Sequence, residues 1–77
     1  MHYVRIPAGT VVTNPFSGDR GALADDICVE MGTSPSARQA RIDAAQTFET
    51  HPEMLEDASQ ADYDTYVAHL LRRNLRQ

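Results

Sequence analysis

The sequence contains no lysine. All seven of its basic residues are arginines, they stand against eleven acidic residues, and the net charge at pH 7 is −4. The absence of lysine excludes Schiff-base chemistry on a lysine amine. The acidic balance also argues against a general electrostatic attraction to nucleic acid, because domains that bind nucleic acid are usually basic. On charge alone, a partner is therefore expected to be a protein rather than a nucleic acid.

Cysteine and long apolar runs are also scarce. Cys28 is the only cysteine, so the chain has no internal disulfide, and a lone thiol is typical of a reducing compartment. Residues 1–20 contain no apolar run of signal-peptide length, and no stretch of the sequence is apolar for long enough to span a membrane. We therefore expect a cytoplasmic protein.

The length of 77 residues fits one small domain, residues 1–77, and leaves no room for a second. A chain of this size hides roughly 60% of its unfolded surface and is usually only a few kcal/mol stable. Since no disulfide adds stability, contact with a partner is a reasonable source of further buried area. That partner could be another protein or, in a homodimer, a second copy of the chain.

The start of the chain predicts a β-hairpin. In residues 2–6, Val4 and Ile6 fall on one side of an extended segment and more polar residues on the other, which is typical of a half-buried strand. Residues 7–9, Pro-Ala-Gly, have the composition of a three-residue hairpin loop. The sequence therefore predicts a two-stranded hairpin over residues 2–13.

The loop after this hairpin, residues 14–21, reads NPFSGDRG and consists almost entirely of turn-forming residues. Phe16 is the one large apolar residue in it. Its ring would either anchor the loop on the core or stand on the surface as a binding hot spot. The sequence leaves both interpretations open.

Apolar spacing and capping residues predict three helices in the rest of the chain. Apolar residues at i, i+4 and i+8 favour a helix over residues 22–31, although residues 27–29 also fit a short strand. A serine–proline pair typical of a helix start predicts a second helix over residues 35–50. With a third helix over residues 59–76, the predicted fold is α+β and mostly helical.

The third helix carries the clearest pattern. Tyr63 and Leu70 belong to an apolar stripe at helical spacing, which indicates one buried face. Ser59 and Asp62 have the spacing of a capping pair at its start. We expect this helix to be the element against which the rest of the chain packs, with Tyr63 and Leu70 buried. Tyr63 and Tyr66 each fit either a core or an interface position.

Residues 23–42, LADDICVEMGTSPSARQARI, contain the turn Met-Gly-Thr-Ser-Pro-Ser at positions 31–36. This segment resembles the helix-turn-helix of small DNA-binding regulators, whose turn follows a hydrophobic-Gly-x-Ser-x-Ser pattern. The resemblance implies that the second helix is a recognition helix. Its arginine and glutamine side chains are of the types that read guanine and adenine edges. Under this alternative, the residues near the DNA would be Ser36, Arg38, Gln39 and Arg41.

No group of residues in the sequence points to catalysis, a metal or a cofactor. The three histidines, His2, His51 and His69, lack the i, i+4 spacing of a helical ligand pair. There is no nucleophile elbow, phosphate-binding loop or CxxC motif, and Cys28 is predicted to be an inert buried thiol within a helix. We therefore expect a non-enzymatic protein that carries no metal and no cofactor.

The remaining interpretation is a small protein that acts by binding another protein, as an accessory subunit, a regulator or an inhibitor. Short acidic proteins of this kind are often encoded by phages and other mobile elements. Residues 43–64 contain seven acidic residues and no arginine, which fits either a solvated face or a patch that meets a basic partner. The candidate contacts are Glu53, Glu56 and Asp57, which lie where the chain turns between predicted helices.

Overall fold

The computed structural model of the chain describes residues 1–75, which combine helices with two small antiparallel sheets. The strands are β1 (His2–Ile6), β2 (Val11–Thr13), β3 (Arg20–Ala22), β4 (Ile27–Met31) and β5 (Glu56–Ala58). The helices are α1 (Ala37–Phe48), a short 3-10 helix (Pro52–Met54) and α2 (Gln60–Leu75). One sheet has the strand order β4-β1-β5, and the other pairs β2 with β3. The predicted fold of three helices after a single N-terminal hairpin is therefore wrong.

Strands β1 to β4 form one long, bent hairpin instead of the short hairpin expected over residues 2–13. β1 pairs with β4, from His2 opposite Met31 to Ile6 opposite Ile27, and β2 pairs with β3 in the same continuous register. The first strand of the chain thus finds its partner in a distant segment. Pairing with the adjacent β2, which the sequence predicted, does not occur.

Residues 7–9, which were predicted to form the hairpin loop, instead bend the ribbon. Gly9 has a positive φ of 86°, a conformation that glycine adopts without steric cost. The N–H of Gly9 donates to the carbonyl of Leu23 (2.8 Å), and the N–H of Leu23 donates to the carbonyl of Thr10 (3.0 Å). These bonds keep the two strands joined across the bend. The actual turn lies at residues 14–19, which we call the hairpin tip.

The segment predicted as a helix over residues 22–31 is mainly the strand β4. Residues four apart share a face in a helix and also in a strand, so Ile27 and Met31 satisfy both patterns. Pairing with β1 decides between them, because it places Val29 opposite Val4 on the face that packs against the core. The β-branched residues of the segment favour the strand as well.

The core lies between the three-stranded sheet and α1. Val4 and Ile6 of β1 are fully buried and pack against a face of α1 made of small residues. The buried members of this cluster are Val4, Ile6, Val12, Ala40, Ala44, Ala45 and Leu55. Because alanines let the helix approach the sheet closely, the branched side chains of β1 supply much of the buried apolar area.

Helix α1 starts two residues later than predicted. Its N-cap is Ser36, whose Oγ accepts a hydrogen bond from the N–H of Gln39 (3.1 Å). Ser34 does not cap the helix, because its buried hydroxyl donates to the carboxylate of Asp43 (2.7 Å). At the other end, Glu49 takes a left-handed φ of 52° and terminates the helix.

Helix α2 lies on the opposite face of the sheet from α1. The ring centroids of Tyr3 and Tyr63 are 5.0 Å apart, and the Arg5 guanidinium lies 3.3 Å from the carboxylate of Asp62 at the start of the helix. Tyr3 and Arg5 alternate with the buried residues of β1, so they point away from the core. The sheet therefore has one helix on each face.

The expectation that the rest of the chain packs against the last helix is wrong, because α2 is only half covered. No side chain of α2 within residues 60–73 is buried. Leu70, which was expected in the core, is 36% exposed, and Leu71 is 58% exposed. A helix of 16 residues is about 24 Å long, whereas the sheet spans about 10 Å across and 17 Å along its longest strands. The predicted end of the helix at Arg76 lies outside the described residues.

Candidate functional site

The hairpin tip is held in one shape by hydrogen bonds to Asn14. The Asn14 side-chain oxygen accepts hydrogen bonds from the backbone N–H groups of Phe16 (2.8 Å) and Ser17 (3.2 Å). The Asn14 carbonyl accepts from the N–H of Gly18 (2.8 Å), and the Asn14 N–H donates to the carbonyl of Asp19 (2.7 Å). An asparagine side chain that bonds to the backbone two residues on is an Asx turn. The tip is therefore an ordered turn.

Phe16 projects from this turn into solvent. It is 98% exposed, more than any other large apolar residue of the described chain. The interpretation of Phe16 as an anchor that holds the loop on the core is therefore wrong. A single exposed apolar side chain is common on protein surfaces. Phe16 differs because its backbone N–H is bonded within the turn, so the ring is carried by an ordered backbone.

The arm that carries Phe16 is attached to the body of the protein. The Arg20 guanidinium donates to the Thr13 hydroxyl across the ribbon (2.8 Å) and to the carbonyl of Glu49 at the end of α1 (2.9 Å). On the inner side of the ribbon, Val12 is buried in the core. The backbone that carries Phe16 is thus ordered before any partner binds, which lowers the ordering cost of binding.

A groove with a volume of about 330 Å³ lies beside the hairpin tip. It is lined by Val12, Asn14, Pro15, Phe16, Leu23, Ile27, Val29, Phe48 and Tyr66, and we call it the β4 groove. Phe48 belongs to the end of α1 and Tyr66 to α2, so the groove reaches both faces of the sheet. It can do so only at the outer edge of β4, which has no neighbouring strand within the described chain. Its lining is mostly apolar, as in sites that bind ligands or protein segments.

The acidic candidates Glu53, Glu56 and Asp57 are exposed, but they do not form one patch. Glu56 and Asp57 are neighbours in β5, so their side chains point to opposite faces of the sheet. Glu56 lies 3.8 Å from Arg5 on the α2 side, and Asp57 pairs with Arg41 of α1. Two of the three carboxylates are therefore next to arginines of the chain itself. Sequence reasoning missed this because it expected a turn where β5 lies.

Two other carboxylates of the acidic segment are held by hydrogen bonds. Ser59 and Asp62 form the capping pair that the sequence predicted. The Ser59 N–H donates to the Asp62 carboxylate (2.9 Å), and the Asp62 N–H donates to the Ser59 Oγ (3.1 Å). Hydrogen bonding to Ser59, first through its backbone and then through its side chain, lowers the pKa of Asp62. Hydrogen bonds from Gln39 (2.8 Å) and Ser34 (2.7 Å) lower the pKa of Asp43. These carboxylates act in the structure of the chain.

Because the pKa values of Asp43 and Asp62 are lowered, acid should destabilise the fold. Their contribution is fully present above the unfolded aspartate pKa of about 3.9. It is lost as the pH falls through the lower folded values, since the unfolded chain then binds more protons. The melting temperature should fall below about pH 4, and less steeply in Asp43→Asn/Asp62→Asn, which lacks both titrating groups. Thermal melts by circular dichroism check this, and equal slopes for the two proteins would contradict it.

The residues that the helix-turn-helix resemblance placed near DNA make other contacts in the structure. Ser36 caps α1, Gln39 donates to a carboxylate of the same helix, and Arg41 pairs with a carboxylate of β5. Arg38 is exposed and lines a shallow cleft beside the 3-10 helix. Within the segment, β4 stands where the first helix of the motif was predicted. The segment therefore has one helix where the resemblance requires two.

Cys28 lies in the middle of β4, not within a helix, and it is buried. Burial raises the pKa of its thiol, and the positive charge of Arg5, which is paired with it across the sheet, partly offsets this rise. A buried thiol with a raised pKa is a poor nucleophile. In residues 1–75, no three histidine, cysteine or acidic side chains are grouped closely enough to hold a metal ion.

Comparison of the chain with protein-family models, with curated proteins and with solved structures finds no match. Within residues 1–75, neither helix is both long enough and apolar enough to cross a membrane. The candidate site therefore depends on the geometry of the chain alone. Its central feature is Phe16, displayed by an ordered and anchored turn.

Proposed function

We propose that this chain is a small non-catalytic protein that acts by binding another protein, with Phe16 as the central contact. The observation that supports this most strongly is the 98% exposure of an aromatic ring on a hydrogen-bonded turn. Aromatic residues, phenylalanine among them, are enriched at protein–protein interfaces relative to the rest of the surface. A ring presented by an ordered turn binds with a smaller entropy cost than a ring on a mobile loop.

The chemistry of the hairpin tip suggests the kind of partner site. A phenyl ring gains most when it enters an apolar pocket that excludes water. The chain carries a net charge of −4, so a partner with basic groups around that pocket would associate faster than a neutral one. We therefore propose a partner protein that offers an apolar pocket with a basic rim.

The acidic residues predicted from the sequence have a secondary part in this proposal. Glu53, Glu56 and Asp57 are exposed, and charges at the rim of an interface mainly set the association rate and its salt dependence. The arginines beside Glu56 and Asp57 reduce the field that these two carboxylates present to a partner. Phe16 is therefore the contact on which the affinity should depend.

The proposed role is that of an accessory subunit, a regulator or an inhibitor, of the kind that phages and other mobile elements encode. We place the protein in the cytoplasm, because its one cysteine is a free thiol and free thiols persist in reducing compartments. Small size, net acidity and the displayed aromatic ring support the role of a regulator.

Phe16→Ala should strongly weaken partner binding without changing the stability of the fold. The ring is almost fully exposed, so its removal leaves no cavity and should change the unfolding free energy by less than about 0.5 kcal/mol. Loss of a central aromatic contact should weaken binding by at least about 2 kcal/mol, or roughly thirtyfold. Affinity capture from a lysate of the source cells, with quantitative mass spectrometry, would compare the two proteins as baits.

A matched control for this experiment is Met54→Ala. Met54 is another exposed large apolar residue, and it lies in the 3-10 helix, outside residues 14–19. The control should capture the same proteins as the parent. If Phe16→Ala captures every partner at the parental level, or if both variants lose the same partners, the proposed role of Phe16 is wrong.

A further inference from the structure

Helix α2 has an uncovered side that faces away from the sheet. Tyr63 stacks on Tyr3 of β1, and Tyr66 lines the β4 groove, so these residues mark the covered side of the helix. Ala68 follows Tyr66 by two residues and therefore lies about 160° around the helix from it. Leu71, which is 58% exposed, lies beside Ala68, since residues three apart on a helix are neighbours.

The residues around Ala68 form a patch that combines apolar groups with one charge of each sign. The neighbours of Ala68, three and four residues away on either side, are Asp64, Thr65, Leu71 and Arg72. These four residues are exposed, and Ala68 is half buried. We call the five residues the outer face of α2. Its acidic group lies one turn before the centre, and its basic group lies one turn after it.

The two charges of the outer face have no partner in the part of the chain that the structure describes. The four salt bridges of residues 1–75 involve neither Asp64 nor Arg72. These two residues are eight positions apart, or about 12 Å along the helix, which is too far for them to pair with each other. Each charge is therefore available to a group of opposite sign on another molecule.

We propose that the outer face binds the outer face of a second copy of the chain, with the two α2 helices antiparallel about a twofold axis at Ala68. A twofold interface must be complementary to itself. Residues at equal distances before and after Ala68 then meet, so Asp64 faces Arg72 of the other copy, twice. In the same way, the methyl group of Thr65 faces Leu71. The small side chain of Ala68 at the crossing lets the two helices approach closely.

Charge excludes the neighbouring arrangements of the two helices. A twofold axis one turn earlier, at Asp64, would oppose two aspartates, and an axis one turn later, at Arg72, would oppose two arginines. A parallel pair would align each charge with its own copy. Like charges that face each other are destabilising. An unrelated helix would need the same two charges in reverse order, and a second copy supplies them by symmetry.

This interface is separate from the proposed binding of a partner through Phe16. No residue of the outer face belongs to the hairpin tip or lines the β4 groove. The two α2 helices would lie between the two sheets, and the dimer would carry two hairpin tips. Binding through Phe16 needs only one copy of the chain, so the two proposals can fail independently.

The test is the mass of the whole chain in solution, measured by light scattering over a wide range of concentrations. The mass should rise to that of two chains. Asp64→Arg and Arg72→Asp should each weaken dimerisation by at least about tenfold, because each change turns two attractive pairs of the dimer into repulsive ones. The double variant Asp64→Arg/Arg72→Asp should regain the dimer, because it restores both pairs with the charges exchanged.

Arg73→Asp is the matched control. It makes the same change of charge at the next position of the helix, where the side chain lies 3.7 Å from the carboxylate of Asp25 and outside the outer face. This variant should dimerise like the parent. Asp64 and Arg72 are exposed, so their reversal removes no buried contact, and circular dichroism of each variant should show the parental helix content.

Three results would overturn the proposal. A mass of one chain for the parent at every concentration means that solvent or a different molecule covers the outer face. Parental dimerisation of both single variants, or an equal loss in Arg73→Asp, places the interface elsewhere. A double variant that stays monomeric with parental helix content removes the pairing of Asp64 with Arg72. Capture of a partner by Phe16 is measured separately, with Phe16→Ala.

Discussion

Ile6→Ala is expected to remove a large part of the stability of this protein. Ile6 is fully buried between the sheet and α1, and truncation of a buried isoleucine to alanine costs about 2–5 kcal/mol. A protein of 77 residues has a total unfolding free energy of about 4–12 kcal/mol. The loss is therefore a large fraction of the total stability. Urea denaturation followed by circular dichroism would measure the loss.

The matched control is Leu70→Ala, which also truncates a large aliphatic side chain. Leu70 is 36% exposed on the half-covered face of α2, so its removal should cost less than half as much as the Ile6 truncation. The apolar pattern of the sequence predicts the opposite order, because it places Leu70 in the core. If Leu70→Ala lowers the denaturation midpoint more than Ile6→Ala, the core does not lie between β1 and α1.

Ala44→Leu should also destabilise the protein strongly, for the opposite reason. Ala44 is fully buried where α1 lies against the sheet, and a larger side chain there must push the helix away from β1. Overpacking of a core typically costs about 1–3 kcal/mol. Because the helix propensities of alanine and leucine are similar, the loss of stability would measure the cost of moving α1 away from the sheet. Differential scanning calorimetry would give the change in melting temperature.

Ala61→Leu provides the control for this substitution. Ala61 is exposed on the first turn of α2, and a leucine there should change the stability by no more than about 0.5 kcal/mol. If Ala44→Leu is tolerated as well as Ala61→Leu, the small residues of α1 are not needed for its contact with the sheet. That outcome would contradict the described core.

The sequence predicted the elements that have local signals, but it did not predict the strands that form through pairing with a distant segment. The first strand was recognised from its alternation, and the start of the last helix from the Ser59–Asp62 capping pair, which the structure contains. β4 was predicted as a helix because apolar residues four apart fit both periods. β5 has no apolar pattern at all, and it becomes a strand only because β1 lies beside it.

The position of the core was mispredicted for a related reason. The stripe that contains Tyr63 and Leu70 is the most regular apolar pattern in the chain, but the short sheet cannot cover a helix of this length. The buried side chains of α1 are alanines, which are weak apolar signals in a sequence. Their burial depends on Val4 and Ile6 of β1, and that contact follows from the tertiary arrangement.

The candidate site was predicted in part. Turn chemistry identified the loop, and Phe16 was the one large apolar residue in it, but the sequence left its orientation open. Asn14 signalled an ordered turn, because its side chain accepts hydrogen bonds from the turn backbone, but no residue of the loop signalled that the ring points into solvent. Glu53, Glu56 and Asp57 were predicted to contact a partner because a turn between helices was expected there. The strand β5 forms instead, and it places Glu56 and Asp57 beside arginines.

The most direct test of the central claim, that Phe16 contacts a partner protein, is site-specific photocrosslinking. A photoreactive phenylalanine analogue, p-benzoylphenylalanine, would replace Phe16 in one protein and Met54 in a control, and each would be irradiated in a lysate of the source cells. A discrete adduct with one other protein is expected at position 16, and it should be absent at position 54 and absent without irradiation. No adduct at position 16, or the same adducts at both positions, would contradict it.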